Sequence, residues 1–329
     1  MALARYQGNG PVRRYILRRV LQAIPLLFVI SVIAFTLYRI APNTPFRAEL
    51  ALNPEATEED IRRLEAKYGL DQPLPVQYAR WLWNVLHGDF GRSYFTKRPV
   101  MEMILERLPN TLTLTVSAFL VSLLAGVPLG IFSALHRNSP IDNVLRVVAV
   151  FVTSLPSWWI GLVCIIIFAG QLRWFPHGGV YTIGKEWDLL DRLHHLVLPA
   201  LVAGIDGSIG YLRIMRSQTL EVLRQDYVRT AYAKGLSDRL VMWRHVLRNA
   251  FLPVWTSFGG LLAGLIGGAA FFETVFSWPG VGRMVLEAAL KRDFPVILAA
   301  TMIGATLILI GYLIVDIGYA WLDPRVRYD

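Results

Sequence analysis

The sequence predicts an all-α integral membrane protein with six transmembrane helices. Of its 329 residues, 54% are hydrophobic and 17% are charged, whereas soluble proteins have about 45–50% and about 25%. The apolar residues form runs of the roughly 20 residues that a helix needs to cross the hydrocarbon core of a bilayer. These runs are continuous and lack the period of two that a membrane-spanning strand shows. Because lipid offers the backbone no hydrogen bonds, such runs are helices.

Six apolar segments meet or approach the required length. The fourth is the weakest, because Asp206 and Arg213 interrupt it and three glycines loosen it. The predicted spans cover residues 20–41, 111–135, 147–170, 196–215, 251–272 and 296–317.

The distribution of charge orients these spans. Lys and Arg number 33 against 24 Asp and Glu, which gives a formal charge of +9. Residues 1–19 hold five arginines and no acid, and residues 216–249 hold seven basic and three acidic side chains. By the positive-inside rule both segments are cytoplasmic, and six crossings return residues 323–329 to the same side. A nucleic-acid partner is excluded, since it requires a basic face on a soluble domain.

The connection between the first two spans, residues 42–110, is predicted to be a helical extracytoplasmic insertion. Thr57 can cap a helix that ends at Lys67, with Gly69 in the closing turn. A second amphipathic stretch, residues 75–86, brings aromatic side chains to the same region. The insertion is either a cap over the bilayer or a surface that receives something from outside.

The connection over residues 216–249 is predicted to form two helices joined by a tight turn. The first covers residues 228–234, and Gly235 can take the left-handed conformation that closes it. Ser237 then caps a second helix that runs through Leu247. Small side chains on the first helix, at Thr230, Ala231 and Ala233, would let it dock into a groove of another protein. The alternative is a solvated basic loop that only fixes the topology.

The fifth span carries glycines at a spacing of four. Gly260, Gly264 and Gly268 form a small-xxx-small pattern, which permits close contact between membrane helices. The residues that follow, 273–283, are predicted to place an aromatic anchor at the membrane interface, followed by a turn.

No catalytic, metal-binding or cofactor-binding site is predicted. Residues 179–186 nearly match a phosphate-binding loop, but Glu186 stands where that loop requires Ser or Thr. The acids and histidines between Asp188 and His195 lack the pattern of a zinc enzyme and are expected to form a polar collar above the fourth span. Cys164 is the single cysteine, which excludes an internal disulfide.

Asp206 is the one acid well inside a predicted span, apart from Asp316 near the end of the last. A carboxylate inside a membrane is costly and is a functional candidate by default. Asp206 is therefore expected to line a translocation path or to make a structural hydrogen bond. A competing hypothesis of a different class is an intramembrane enzyme that uses this carboxylate.

Several motifs resemble those of one protein family. The chain resembles the permease subunits of binding-protein-dependent ABC importers, in the first-permease type of the dipeptide/oligopeptide/nickel group. The resemblance covers nearly the whole chain and rests on Tyr15-Ile-Leu-Arg-Arg19, Tyr68-Gly-Leu-Asp71, Gly88-Asp-Phe-Gly-Arg-Ser93, Arg107-Leu-Pro-Asn-Thr111, Asp226-Tyr-Val-Arg-Thr-Ala-Tyr-Ala-Lys-Gly-Leu236, Arg248-Asn-Ala-Phe-Leu-Pro253 and Glu273-Thr-Val-Phe-Ser-Trp-Pro-Gly280.

The resemblance implies a type I ABC importer permease fold, with residues 111–322 as the transmembrane domain. It also implies that residues 216–249 contain the EAA loop, whose short helix docks on an ATPase subunit. Arg229-Thr-Ala231 stand where Glu-Ala-Ala is usual, and His245-Val-Leu-Arg248 also departs from the general importer pattern. The ATPase-coupling residues implied are Arg229, Thr230, Ala231, Ala233, Lys234 and Gly235.

The function implied by the resemblance is that of a transport subunit without enzymatic activity of its own. The chain would form half of the path for dipeptides or oligopeptides that an extracytoplasmic binding protein delivers, with nickel or oligosaccharides as alternative cargo. Its expected partners are a second permease in a heterodimer, two ATPase subunits that bind ATP and magnesium, and the bilayer. This chain would bind no cofactor. The expected location is the inner membrane of a prokaryote, with both termini cytoplasmic.

Overall fold

The structure is a computed structural model that describes residues 10–40, 57–67, 69, 71–264 and 269–322. These residues are helical apart from short connections, and their only β pairing is one isolated bridge between Arg92 and Pro99. The all-α prediction is confirmed. The terminal residues 323–329, the last residue of the first predicted span and the first part of the insertion, 42–56, lie outside the described residues.

The helices of the described part are numbered in chain order. They are α1 (Gly10–Ile40), α2 (Glu58–Lys67), α3 (Leu74–Leu86), α4 (Val100–Leu135), α5 (Pro140–Thr153), α6 (Ser157–Cys164), α7 (Leu189–Leu223), α8 (Asp226–Ala233), α9 (Asp238–Val241), α10 (Arg248–Ala250), α11 (Leu252–Ala263), α12 (Ala270–Val275), α13 (Val281–Lys291) and α14 (Phe294–Leu322). Two π-helical segments extend α6 and α9, Ile165–Gln171 and Met242–Leu247.

Four of these helices are long and apolar enough to cross a membrane: α1, α4, α7 and α14. The pair α5 and α6 meets the same test only as a bent unit, with an angle of 96° between its halves. The predicted unbroken span over residues 147–170 is therefore two helices. The break lies before Pro156, which has no amide hydrogen and disfavours helical geometry at the preceding residue.

The fifth predicted span, residues 251–272, is described in two pieces. Helix α11 covers its first half and α12 begins at Ala270, while residues 265–268 lie outside the described part. Its continuity as one crossing remains a prediction.

Helices α4 and α7 form the central packed pair, and glycines set their separation. A Cβ atom on Gly126 would lie 2.4 Å from the carbonyl oxygen of Ser208, and one on Gly130 would lie 2.7 Å from that of Leu212. Ser122 donates a hydrogen bond from its hydroxyl to the carbonyl oxygen of Gly204 at 2.9 Å. The two backbones therefore touch along several turns, which side chains larger than hydrogen would prevent.

Of the three predicted packing glycines of the fifth span, neither of the two that the structure describes lies at a close backbone contact. Gly260 has no atom within 4 Å of an added Cβ, and Gly268 lies outside the described residues. Gly264 makes only ordinary contact, 3.6 Å from a methyl of Thr115. The close approach to α14 occurs one residue away, where a Cβ on Gly311 would lie 2.5 Å from the carbonyl oxygen of Gly259. A spacing of four marks a helix face without saying which neighbour that face meets.

The predicted insertion helices are present where the structure describes them. Helix α2 begins after Thr57, whose hydroxyl accepts a hydrogen bond from the amide of Asp60 at 3.3 Å. Hydrogen bonds from Thr57 also hold the pKa of Asp60 below its usual value. Gly69 has the expected positive φ of 66°. Helix α3 lies against α1, where the hydroxyls of Tyr78 and Ser31 are 2.7 Å apart. The N-cap and closing glycine of α2 are thus confirmed.

We expect opposite effects from the same substitution at two glycines. Gly126→Ala places a methyl group against the backbone of α7 and should lower stability by about 1–3 kcal/mol, the usual cost of overpacking. Gly210→Ala has open space within this chain and should raise stability by about 0.5–1 kcal/mol, since alanine favours helix. Thermal unfolding of the purified chain in detergent measures both, and shifts in the same direction would contradict the packing described.

Candidate functional site

The connection over residues 216–249 is folded, not a loose loop. Helix α7 continues through Leu223, and α8 starts three residues later at Asp226. The predicted helix over 228–234 therefore begins two residues earlier than expected and ends at Ala233. Its acidic first residue, Asp226, matches the positive end of the helix dipole.

Gly235 closes α8 as predicted. Its φ is +75°, in the left-handed region, and its amide donates to the carbonyl oxygen of Tyr232 at 2.9 Å. An added Cβ would meet no atom within 4 Å. The need for glycine here is thus a matter of backbone conformation and not of space.

Helix α8 presents one face to the bundle and the other to the outside. Val228 and Ala231 are buried in a cluster with Met215, Val241 and Val246. Ala231 is thus a packing residue of this chain, which differs from the prediction that it lies on an exposed docking face. The predicted residues that remain exposed are Arg229, Thr230, Ala233, Lys234 and Gly235.

The second helix of the connection differs from a regular α-helix. Helix α9 follows Ser237 as predicted, but the Ser237 side chain makes no capping hydrogen bond. After Val241 the chain enters the π-helical segment. In a regular α-helix, two side chains five residues apart point about 140° away from each other. The π-helical segment has more residues per turn, so Val241 and Val246 lie on nearly the same face, and both are fully buried.

A side-chain hydrogen bond joins α8 to α10 within the connection. Asn249 donates to the hydroxyl of Tyr227 at 3.0 Å and to the carbonyl oxygen of His245 at 2.9 Å. Arg229 and Asp226 also pair at 3.5 Å, but both are exposed, so this pair adds little stability. The amide bridge and the buried cluster make α8 and the following helices one unit.

An ion pair that the sequence did not indicate joins α5 to α7 close to this unit. Asp142 at the start of α5 is fully buried and accepts two hydrogen bonds of 2.8 Å from Arg216 of α7. It also accepts from the amide of Asn138 at 2.9 Å and from the hydroxyl of Ser133 in α4. From the sequence, Arg216 was counted only as one of the basic residues that orient the membrane spans. A local hint existed in Ser139, which caps α5 with Asp142 in the first turn.

Asp206 has a hydrogen-bond partner at the bend between α5 and α6. The hydroxyl of Ser157 donates to its carboxylate at 3.1 Å. The structural hydrogen bond weighed for Asp206 is therefore present, and a lining role in a translocation path stays a prediction.

At the opposite end of α4, residues 273–283 form a buried clasp. Glu273 is fully buried and accepts hydrogen bonds of 2.7 Å from the hydroxyl of Thr111 and from the amide of Arg283. Trp278 donates from its ring nitrogen to the carbonyl oxygen of Asn110 at 2.8 Å. The sequence predicted an aromatic anchor at the interface, but Trp278 is 1% exposed, because the loop folds back onto α4.

The polar cluster before the fourth predicted span organises the start of α7. Asp188 caps that helix by accepting from the amide of Leu190 at 2.9 Å, and Asp191 accepts from Thr182. The amide of Gly184 donates to Glu186, within the stretch that resembles a phosphate-binding loop. In the part of the chain that the structure describes, no three His, Cys, Asp or Glu side chains are placed to hold a metal ion.

Comparison with known proteins covers both the connection and the insertion. Residues 126–328 match the family model described as binding-protein-dependent transport system inner membrane component, and residues 12–115 match the model of its N-terminal part. The sequence is 42% identical over 315 residues to the oligopeptide transport system permease protein AppB of Bacillus subtilis, covering 95% of this chain and 99% of that protein. It is 37% identical over 317 residues to the "Probable peptide ABC transporter permease protein y4tP" of Sinorhizobium fredii, with 95% and 99% covered.

The Asp142–Arg216 pair is expected to be critical for stability. Asp142→Asn leaves Arg216 without its counter-charge, and breaking a buried pair in this way should cost about 3 kcal/mol. Asp226→Asn removes the same charge from an exposed pair and should cost less than about 0.5 kcal/mol. Thermal unfolding in detergent compares the two variants. Equal melting temperatures would contradict the role given to Asp142.

Proposed function

The chain belongs to the family of binding-protein-dependent transport system inner membrane components, and from this premise we propose that it forms half of the path by which an ATP-driven importer takes up peptides. Like its relatives, it is an integral membrane permease and not an enzyme. Peptide cargo is supported by the relatives, whose names assign them to oligopeptide or peptide transport. Nickel or oligosaccharide cargo is the alternative within the same class.

Six crossings are supported by contacts at the two ends of the bundle. Helices α4 and α7 run parallel, since Gly126 lies by Ser208 and Gly130 by Leu212. The chain between them must therefore return along the bundle, which makes the bent pair α5–α6 a crossing. Helix α11 starts beside the 216–249 connection, and the clasp after α12 contacts Thr111 at the other end. Residues 251–272 thus form the fifth crossing in this proposal.

The proposed orientation places residues 216–249 and both termini in the cytoplasm. The seven basic side chains of the connection support it through the positive-inside rule. Helices α2 and α3 then belong to an extracytoplasmic surface. The membrane is the inner membrane of a prokaryote, in line with the description of the family.

The observation that carries the proposed coupling role is that α8 has one buried face and one exposed face. Val228 and Ala231 anchor this helix in the same cluster as Met215 of α7 and Val254 of α11. Its other face is exposed, and no part of the chain that the structure describes buries it. This face is therefore accessible to a partner protein. A force on the exposed face would therefore reach two membrane helices through packed side chains, and packed interfaces shift as units and do not deform gradually.

The proposed partners follow from this arrangement and from the family. The exposed face of α8 contacts one of two ATPase subunits, which hold ATP and magnesium. A binding protein delivers cargo to the extracytoplasmic surface, and a second permease in a heterodimer completes the path.

Replacing Gly235 is expected to uncouple transport while leaving the fold intact. Gly235→Val has space for its side chain but strains a left-handed backbone, at a cost of about 1–3 kcal/mol. The α8 turn would shift, and uptake of a labelled peptide should fall about tenfold or more.

The matched control is Gly235→Asn, because asparagine tolerates the left-handed region. This variant should keep most of the uptake. Both variants are compared in cells that express the complete transporter, at equal levels of membrane-inserted chain. Normal uptake by Gly235→Val would contradict the coupling role of this turn.

Blocking the exposed face of α8 is expected to weaken assembly with the ATPase. Ala233→Trp adds a large ring to that face without filling a buried site, so co-purification of the ATPase should fall while the melting temperature of the chain stays unchanged. Ala66→Trp makes the same change at an exposed site on α2, on the proposed opposite side of the membrane. Undiminished ATPase recovery with Ala233→Trp would refute the docking face.

A further inference from the structure

A cavity lined by arginines lies between α5 and α7, directly beside the 216–249 connection. It has a volume of about 920 Å³. Glu221 is the only acid among the residues that line it. The lining arginines are Arg137, Arg146, Arg213, Arg216 and Arg224.

Most of this positive charge is not neutralised by the chain. The buried carboxylate of Asp142 pairs with Arg216 and lies 3.8 Å from Arg146. Arg213 donates to the carbonyl oxygen of Ala149 and to the hydroxyl of Thr153, neither of which carries charge. Across the described residues, Arg137 and Arg224 have no acidic side chain within ion-pair distance. Both residues are exposed and line the cavity.

Part of the cavity wall is apolar. Ala149, Val150, Leu212 and Leu220 line it together with the arginines. The helix that supplies Val150 also exposes Val147 and Phe151 to the extent of 68% and 64%. Arginines beside apolar side chains match a phosphate group with hydrocarbon attached. A free phosphate ion would gain nothing from these walls.

We propose that this cavity binds the headgroup of an anionic phospholipid of the cytoplasmic leaflet, with Arg137 and Arg224 contacting the phosphate and α5 contacting the acyl chains. Basic pockets between membrane helices on the cytoplasmic side bind such headgroups in other proteins. The leaflet assignment rests on the orientation given under the proposed function. Binding itself can be measured without transport, so failure of either idea is seen separately.

The position of Arg224 gives the lipid a role in transport. Arg224 is the C-cap residue directly after α7, and the next residue, Gln225, immediately precedes α8. A phosphate held there fixes the segment that joins the membrane bundle to the exposed helix. The lipid thereby favours one position of α8 relative to α7.

The test measures lipid retained by the purified transporter. The detergent-solubilised complex, stripped of lipid, is titrated separately with phosphatidylglycerol, phosphatidylcholine and inorganic phosphate, and adducts on the permease chain are counted by native mass spectrometry. The test variant is Arg137→Gln/Arg224→Gln. The control is Arg239→Gln/Arg244→Gln, which removes the same charge from exposed arginines of the same connection outside the cavity.

The wild type and the control are expected to retain phosphatidylglycerol in preference to phosphatidylcholine. The test variant should bind it roughly thirtyfold more weakly, the effect of two basic groups near an anionic headgroup. Ser217→Trp, which fills the cavity without changing charge, should reduce retention as well and replaces the double variant if that one fails to assemble.

Three results would overturn the proposal. One is unchanged phosphatidylglycerol retention in both the charge variant and Ser217→Trp. Another is displacement of the lipid by millimolar inorganic phosphate, which would make the cavity a simple anion site. The third is retention that appears only after the ATPase is removed, which would show that an acidic surface of that partner fills the cavity.

Discussion

The close parallel packing of α4 and α7 is the constraint on which the rest of the structure depends. Where Gly126 and Gly204 replace side chains with hydrogen, the two backbones come into contact. Packing of this kind is what stabilises helix pairs in lipid, where the hydrophobic effect gives helices no reason to associate. One end of the pair packs against the 216–249 connection, and residues 273–283 pack on α4 towards its other end.

Two buried carboxylates hold further segments to this central pair. Asp142 joins α5 to α7 through Arg216, and Glu273 joins residues 273–283 to α4 through Thr111. Burying either group is costly unless its oxygens are hydrogen-bonded, and the structure supplies several donors to each. Helix α5 and residues 273–283 are therefore fixed to the central pair, while α8 is held to it by the cluster of Val228 and Ala231 with Met215.

The sequence predicted the features that depend on neighbours along the chain. Long apolar runs, the Thr57 cap and the left-handed Gly235 are local, and the structure has them. The bend at Pro156 was also local, and the length of the apolar run concealed it. The Asp142–Arg216 pair joins residues 74 apart, and no pattern in either segment points to the other. The burial of Trp278 likewise depends on how a loop folds back onto α4.

The central claim is that the outward face of α8 contacts the ATPase. The most direct measurement is photo-crosslinking from benzoylphenylalanine placed at Thr230, an exposed position of α8, in the assembled transporter. The account predicts an adduct with the ATPase subunit whose yield changes when ATP is added, and none from the same label at Ala66 of α2. Adducts with lipid alone from position 230, or equal ATPase adducts from both positions, would contradict it.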